Sequence, residues 1–220
     1  MIGIIHLTAV TAAVFFYVLY QRYLAVPQGE ISSPEDARKK DIAIFLLLLG
    51  AGFLVRLVAS GICEGHSLDM NCFVAWGDMA YKDGLPAFYA SDAFTDYPPG
   101  YVYVLYLQGM LRSFFSIEPF SIADRILVKL PAVICDMGIG VILYRIMIKR
   151  SRKGKNAARA LMGLWLFHPV SLMDSAIWGQ VDSVFTLLVL LMCLCMTEKK
   201  YPAAYFAFAI ERSVIMLTTG

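Results

Sequence analysis

IAIFLLLLGAGFLVRLVASGIC, residues Ile42–Cys63, is a run of 22 residues with a single charge, Arg56. As a helix it covers ~33 Å at 1.5 Å per residue, enough to cross the ~30 Å hydrocarbon core of a bilayer. The run is not alone. Comparable apolar stretches occupy 2–20, 126–148, 157–173, 181–197 and 201–219. Hydrophobic residues make up 59% of the 220 and charged residues 16%, with a mean hydropathy of +0.66. That is too apolar for a soluble domain of this size. The expected fold is therefore all-α, a polytopic membrane helix bundle. The first run carries Arg22 after it and no basic residue before it. This is the wrong flank for a cleaved signal peptide, so 2–20 is expected to remain as a span.

The net charge of +2 says little, but its distribution orients the chain. Six basic residues and no acid lie between Lys149 and Arg159, and Arg38, Lys39 and Lys40 precede the second run. By the positive-inside rule both segments face the cytosol. A basic run can also bind nucleic acid, but beside a span its ordinary work is orientation, and no nucleic-acid partner is expected. Residues 64–99 carry Glu64, Asp69, Asp78, Asp83, Asp92 and Asp96 against Lys82 alone, which puts them outside.

Parity then constrains Tyr101–Phe115. If it crossed the membrane together with 126–148, the basic cluster would emerge on the wrong side. The segment is short, carries Gln108 and Arg112, and is entered through Pro98-Pro99-Gly100. It is expected to be an interfacial or re-entrant helix, 101–115, within a long extracytosolic loop, 64–125. The spans 126–148, 157–173 and 181–197 then deliver every charge cluster to a consistent side. The chain is read as one membrane domain, 1–220, with 201–219 as a possible further span.

Carboxylates beside a bilayer are there for chemistry or ions, because spans do not need them. Two polar stretches stand out. One is Asp69-Met-Asn-Cys-Phe-Val-Ala-Trp76 followed by Asp96-Tyr97-Pro98-Pro99-Gly100. The other is Phe167-His168-Pro169 followed by Trp178-Gly179-Gln180-Val181-Asp182-Ser183. Moving a sugar off a lipid carrier needs a carboxylate to take the acceptor's proton, a cation to hold the departing phosphate, and aromatic and amide groups to seat the sugar. The two stretches supply carboxylates, aromatics and amides at a membrane edge, and Lys129 lies between them in the chain.

Taken in order, with Lys129-Leu-Pro-Ala-Val-Ile-Cys-Asp136 between them, these motifs resemble the GT-C glycosyltransferases over roughly residues 42–200. The nearest likeness is to the mannosyltransferases of the GPI-anchor type and their bacterial relatives. The resemblance implies a GT-C-like bundle, a polyprenyl-phosphate sugar as donor and a hydroxyl acceptor on the extracytosolic or lumenal face. It implies Asp69 as the catalytic base. Proteins of that kind usually continue for several more spans, so the chain is expected to be an N-terminal portion of one.

Each residue has two readings. Asp69 is the base or one more solvated acid. Trp76 is expected at the substrate, and Tyr97 anchors at the interface or forms part of the substrate wall. Asp96 binds substrate or caps the proline elbow. Lys129 contacts the lipid phosphate or snorkels. Trp178 belongs to an aromatic belt or, with Gln180 and Asp182, to the sugar site. Inside the spans, Asp136 needs a basic partner such as Lys129 or a proton of its own, and Arg56 needs an acid or a phosphate. Cys63 and Cys72 either pair or stay free. Asp78 and Asp92, without a tryptophan at matching spacing, are expected to be inert. No cofactor is required, since cations alone can handle a lipid monophosphate, although the acid cluster could hold a divalent ion. The membrane is a bacterial plasma membrane or the endoplasmic reticulum. Two other classes compete: an inactive or truncated non-enzymatic membrane protein, and an ion-coupled transporter using Arg56, Lys129 and Asp136.

Overall fold

The computed structural model describes residues 34–90, 94–95, 97–150 and 154–214. The expected first span, 2–20, Asp92 and Asp96 lie outside them. The described residues form helices and no strand: α1 (Pro34–Ile62), α2 (Ser67–Asp83), α3 (Leu85–Ala90), α4 (Pro99–Phe114), α5 (Ile122–Arg150), α6 (Gly154–Leu166), α7 (Pro169–Leu172), a π-helix (Met173–Trp178), α8 (Asp182–Thr197) and α9 (Tyr201–Val214).

Among the described residues two helices are long and apolar enough to cross a membrane, Arg38–Ile62 and Ile122–Lys149. Along α1 the two faces separate at a spacing of four. Ile42, Leu46, Leu54, Val58 and Ile62 are exposed, whereas Ile44, Leu48, Arg56 and Ser60 are buried. An exposed stripe of large aliphatic side chains, broken only at Gly50, is costly in water and suits hydrocarbon.

The expected span 157–173 is not one continuous helix. α6 stops at Leu166, and the chain restarts at Pro169 with a bend of 42°, which makes the pair a broken span or a re-entrant loop. The cause is local. Proline has no N–H to continue the ladder, and it forces the preceding residue out of the helical region. His168 accordingly sits at φ −66°, ψ 126°. α8 is apolar but has only 16 residues, ~24 Å of helix, short of a perpendicular crossing. The described part of the last run ends at Val214.

The chain divides into two compact units. The described part of the first comprises residues 34–56, 136–150 and 154–173. Its core is Ile44, Leu48, Met162, Leu166 and Phe167. Asp41 gathers charge from the basic segment: Lys155 lies 3.2 Å from it, Tyr144 donates to it at 3.1 Å, and the Arg159 guanidinium pairs with it. Deeper in this unit Arg56 and Asp136, both fully buried, pair at 3.0 Å.

The second unit holds residues 57–135 and the described part of 174–220. The acidic segment expected as loop is largely α2. Its buried residues Met70, Phe73, Val74, Trp76, Gly77 and Ala80 form one face, and the acids occupy the rest. That face packs on α4, whose extent matches the helix expected at 101–115. α2 and α4 approach so closely that a Cβ added at Gly77 would lie 2.9 Å from the Leu105 carbonyl oxygen. Gly77→Ala is therefore expected to force the helices apart and cost about 1–3 kcal/mol. Gly50→Ala, in open space on α1, serves as the control and is expected to be neutral or slightly stabilising. Thermal melts in detergent check the contrast, and equal melting of the two variants would contradict it.

Candidate functional site

Asp69 lies in the first turn of α2, which begins just after His66. Its Oδ2 accepts hydrogen bonds from Trp178 Nε1 at 3.0 Å and from Gln180 Nε2 at 2.6 Å, and His66 Nδ1 lies 3.0 Å away. No described side chain is hydrogen-bonded to Oδ1, and the Asp69 side chain keeps 24% of its surface exposed. One oxygen is fixed and the other is open. The His66 ring stacks on the Trp178 indole at 4.9 Å, and its backbone N–H donates to the Trp178 carbonyl at 2.9 Å. Asp69, Trp178 and Gln180, expected to work together, are in direct contact.

The wide turn of the π-helix presents the last two. Gly179 N–H and Gln180 N–H both donate to the Asp174 carbonyl at 3.0 Å. Gly179 takes φ +95°, where L side chains are strained, and an added Cβ there would meet Met70 Sδ at 3.0 Å. π-Turns often occur at functional sites because they re-aim side chains.

The other expected residues are distributed differently. Trp76 is buried, donates its indole N–H to the Phe94 carbonyl at 2.8 Å, and packs with Phe73 and Tyr97 at ring distances of 6.1 and 5.6 Å. Tyr97 in turn lies 5.3 Å from Tyr101. Complete burial pushes the Tyr101 phenol far above its usual range. Asp182 is exposed in the first turn of α8.

Lys129 differs most from its expected place at a phosphate. It is 1% exposed. Its Nζ donates to the carbonyls of Cys63 at 2.7 Å, Ala176 at 3.1 Å, Ile177 at 3.2 Å and Ser60 at 3.4 Å. The ammonium is already saturated by the ends of α1 and the π-helix, so Lys129 ties those ends together. Lys129→Met strips the donor from four carbonyls and is expected to lower stability by about 1–3 kcal/mol. Lys129→Arg keeps the charge but not the compact ammonium geometry and should recover part of the loss. An unchanged melting temperature with weakened donor binding would instead make Lys129 a substrate contact.

Arg112 was not singled out from sequence as part of any cluster. It donates from Nε to the fully buried Asp124 at 2.8 Å and from Nη1 to Asp78 at 2.5 Å, and Asp124 also accepts from Phe120 N–H at 2.7 Å. Asp78 is thus tied into the structure, not the inert loop acid expected. The pairing of opposite charges twelve residues apart across a helix–turn–helix was the signal that could have found it. Cys63 and Cys72 carry free thiols. Among the described residues no three His, Cys, Asp or Glu side chains are placed to hold a metal ion. Comparison with known protein families, with curated proteins and with solved structures finds no match to this chain.

Proposed function

We propose that this protein is an integral-membrane glycosyltransferase of GT-C type. It moves a hexose, with mannose the first candidate, from a polyprenyl-phosphate donor to an acceptor hydroxyl on the extracytosolic or lumenal face. The observation that carries the reading is the Asp69 carboxylate, with Oδ2 held by Trp178 and Gln180 and Oδ1 open. In this reading Oδ1 takes the proton from the acceptor hydroxyl as its oxygen attacks the anomeric carbon. The bond from that carbon to the phosphate oxygen breaks, and polyprenyl phosphate leaves with the electron pair. Trp178 and Gln180 keep the carboxylate aimed.

Two supports come from outside the carboxylate. The ordered motifs that resemble the GT-C enzymes include both halves of this cluster, Asp69 and Trp178–Gln180. The apolar stripe of α1 suits a protein embedded in lipid, where a polyprenyl tail is accessible. A transporter would need Arg56, Lys129 and Asp136 free to exchange protons or ions, and each is occupied by buried partners.

The test supplies membranes containing the full chain with polyprenyl-phosphate mannose labelled in the sugar. Transfer of label to a hydroxyl-bearing product is expected. Transfer no greater than in membranes lacking the chain, with mannose and with glucose donors alike, contradicts the reading.

A further inference from the structure

A cavity of about 340 Å³ is lined by Ser67, Met70 and Asn71 of α2, by Glu64, and by Phe120 and Arg125. Arg125 lies one turn before Lys129 on α5. Its Nε is buried and has no hydrogen-bond partner, and no described carboxylate forms an ion pair with its guanidinium. A buried guanidinium nitrogen without an acceptor is expensive, which calls for a ligand or a reason. Lys129, one turn further along α5, is satisfied by carbonyl oxygens only and brings no counter-charge.

We propose that this cavity binds a phosphate group, with Arg125 as its cation. A guanidinium offers parallel N–H donors that match phosphate oxygens, which a saturated Lys129 cannot do. Ser67 and Asn71 add a hydroxyl and an amide on the same wall. α2 begins at this wall, and its N-cap His66 makes no side-chain cap to the first-turn N–H groups. Glu64, exposed on the rim, opposes the charge. The inference rests on the proposed function for the phosphate's carrier, a polyprenyl chain. The site itself stands on the cavity and on Arg125. A lipid-borne phosphate and free inorganic phosphate share the chemistry, and separate measurements tell them apart.

The full chain in phosphatidylcholine nanodiscs is titrated with a short-chain polyprenyl monophosphate, with the matching polyprenol, and with inorganic phosphate. Tryptophan fluorescence gives the Kd. The monophosphate is expected to bind more tightly than the polyprenol. Arg125→Gln should raise its Kd about tenfold or more, with Arg125→Lys in between. Asn71→Asp, an exposed isosteric change that adds a negative charge to the wall, should weaken binding as well, and Glu64→Gln should tighten it. A merely structural Arg125 predicts neither of the last two effects. The same dependence with inorganic phosphate alone supports the site and makes the free ion its ligand. Unchanged affinity for both phosphates in Arg125→Gln and in Asn71→Asp overturns it. Arg125-dependent binding without any sugar transfer keeps the site and removes the glycosyltransferase reading. Transfer with parental KM in Arg125→Gln does the reverse.

Discussion

Arg56→Met is expected to abolish most of the folded protein. The Arg56 guanidinium donates from Nε to Asp136 at 3.0 Å, from Nη1 to the Leu166 carbonyl at 2.5 Å and from Nη2 to Ser171 Oγ at 2.8 Å, and neither charged side chain has any exposed surface. Methionine fills a similar volume but leaves the Asp136 carboxylate as a buried charge without its counter-ion. Breaking a buried pair from one side costs about 3–5 kcal/mol. That is a large share of the ~5–15 kcal/mol by which most proteins are stable. The pair itself need not be stabilising relative to an apolar replacement, so the double variant Arg56→Met/Asp136→Leu should recover much of the loss. Monodisperse yield and melting temperature in detergent provide the readout. Parental melting of Arg56→Met would show that the carboxylate has another way to be neutralised.

How much of this was legible in the sequence differs from one element to the next. Apolar length located α1 and α5, and charge parity together with Pro98-Pro99-Gly100 located α4 within two residues at each end. α2 was missed as a helix because its acids drew the eye. Met70, Phe73, Val74 and Ala80 already trace a buried face at helical spacing. The break at Pro169 was also available, since a proline without an N–H does not continue a helix from Leu166. Asp136 was matched to Lys129 as a possible partner, but seven residues along one helix separate them by ~10.5 Å, too far for a direct bond. The partner is Arg56, eighty residues away, and helix rotation decides that. The ties of Lys129 were beyond reach, because its acceptors are backbone carbonyls that any residue supplies. In the candidate site, Asp69 and Gln180 are 111 residues apart. Residue chemistry and the resemblance, not spacing, suggested that they belong together. Trp76, paired with Asp69 by that resemblance, instead packs in the aromatic core.

Asp69→Asn carries the functional claim. The amide is nearly isosteric with the carboxylate, and its oxygen can still accept from Trp178 and Gln180, so α2 and the π-turn should keep their places. What is lost is the capacity to take a proton. A general base contributes ~10²–10⁴ in rate, which is about 3–5 kcal/mol of barrier. Two changes to its supports bracket the effect. Gln180→Leu removes one donor to Oδ2 and should lower turnover less than Asp69→Asn does. Trp178→Phe removes another donor while preserving the stack on His66, with a loss of similar size to Gln180→Leu. Asp78 is unsuitable as a neutral control, because its tie to Arg112 makes its loss a stability change. Glu64 is exposed and makes no such tie, but it lines the phosphate cavity, so its effect falls on binding.

The most direct measurement is a single-turnover experiment on membranes or nanodiscs, in which labelled polyprenyl-phosphate mannose is bound first and acceptor is then added. The parent should transfer the sugar, whereas Asp69→Asn should bind donor with the parental Kd and transfer it ~10²–10⁴ times more slowly. Equal single-turnover rates for the two proteins, at equal donor occupancy, would contradict the assignment of Asp69 as the base.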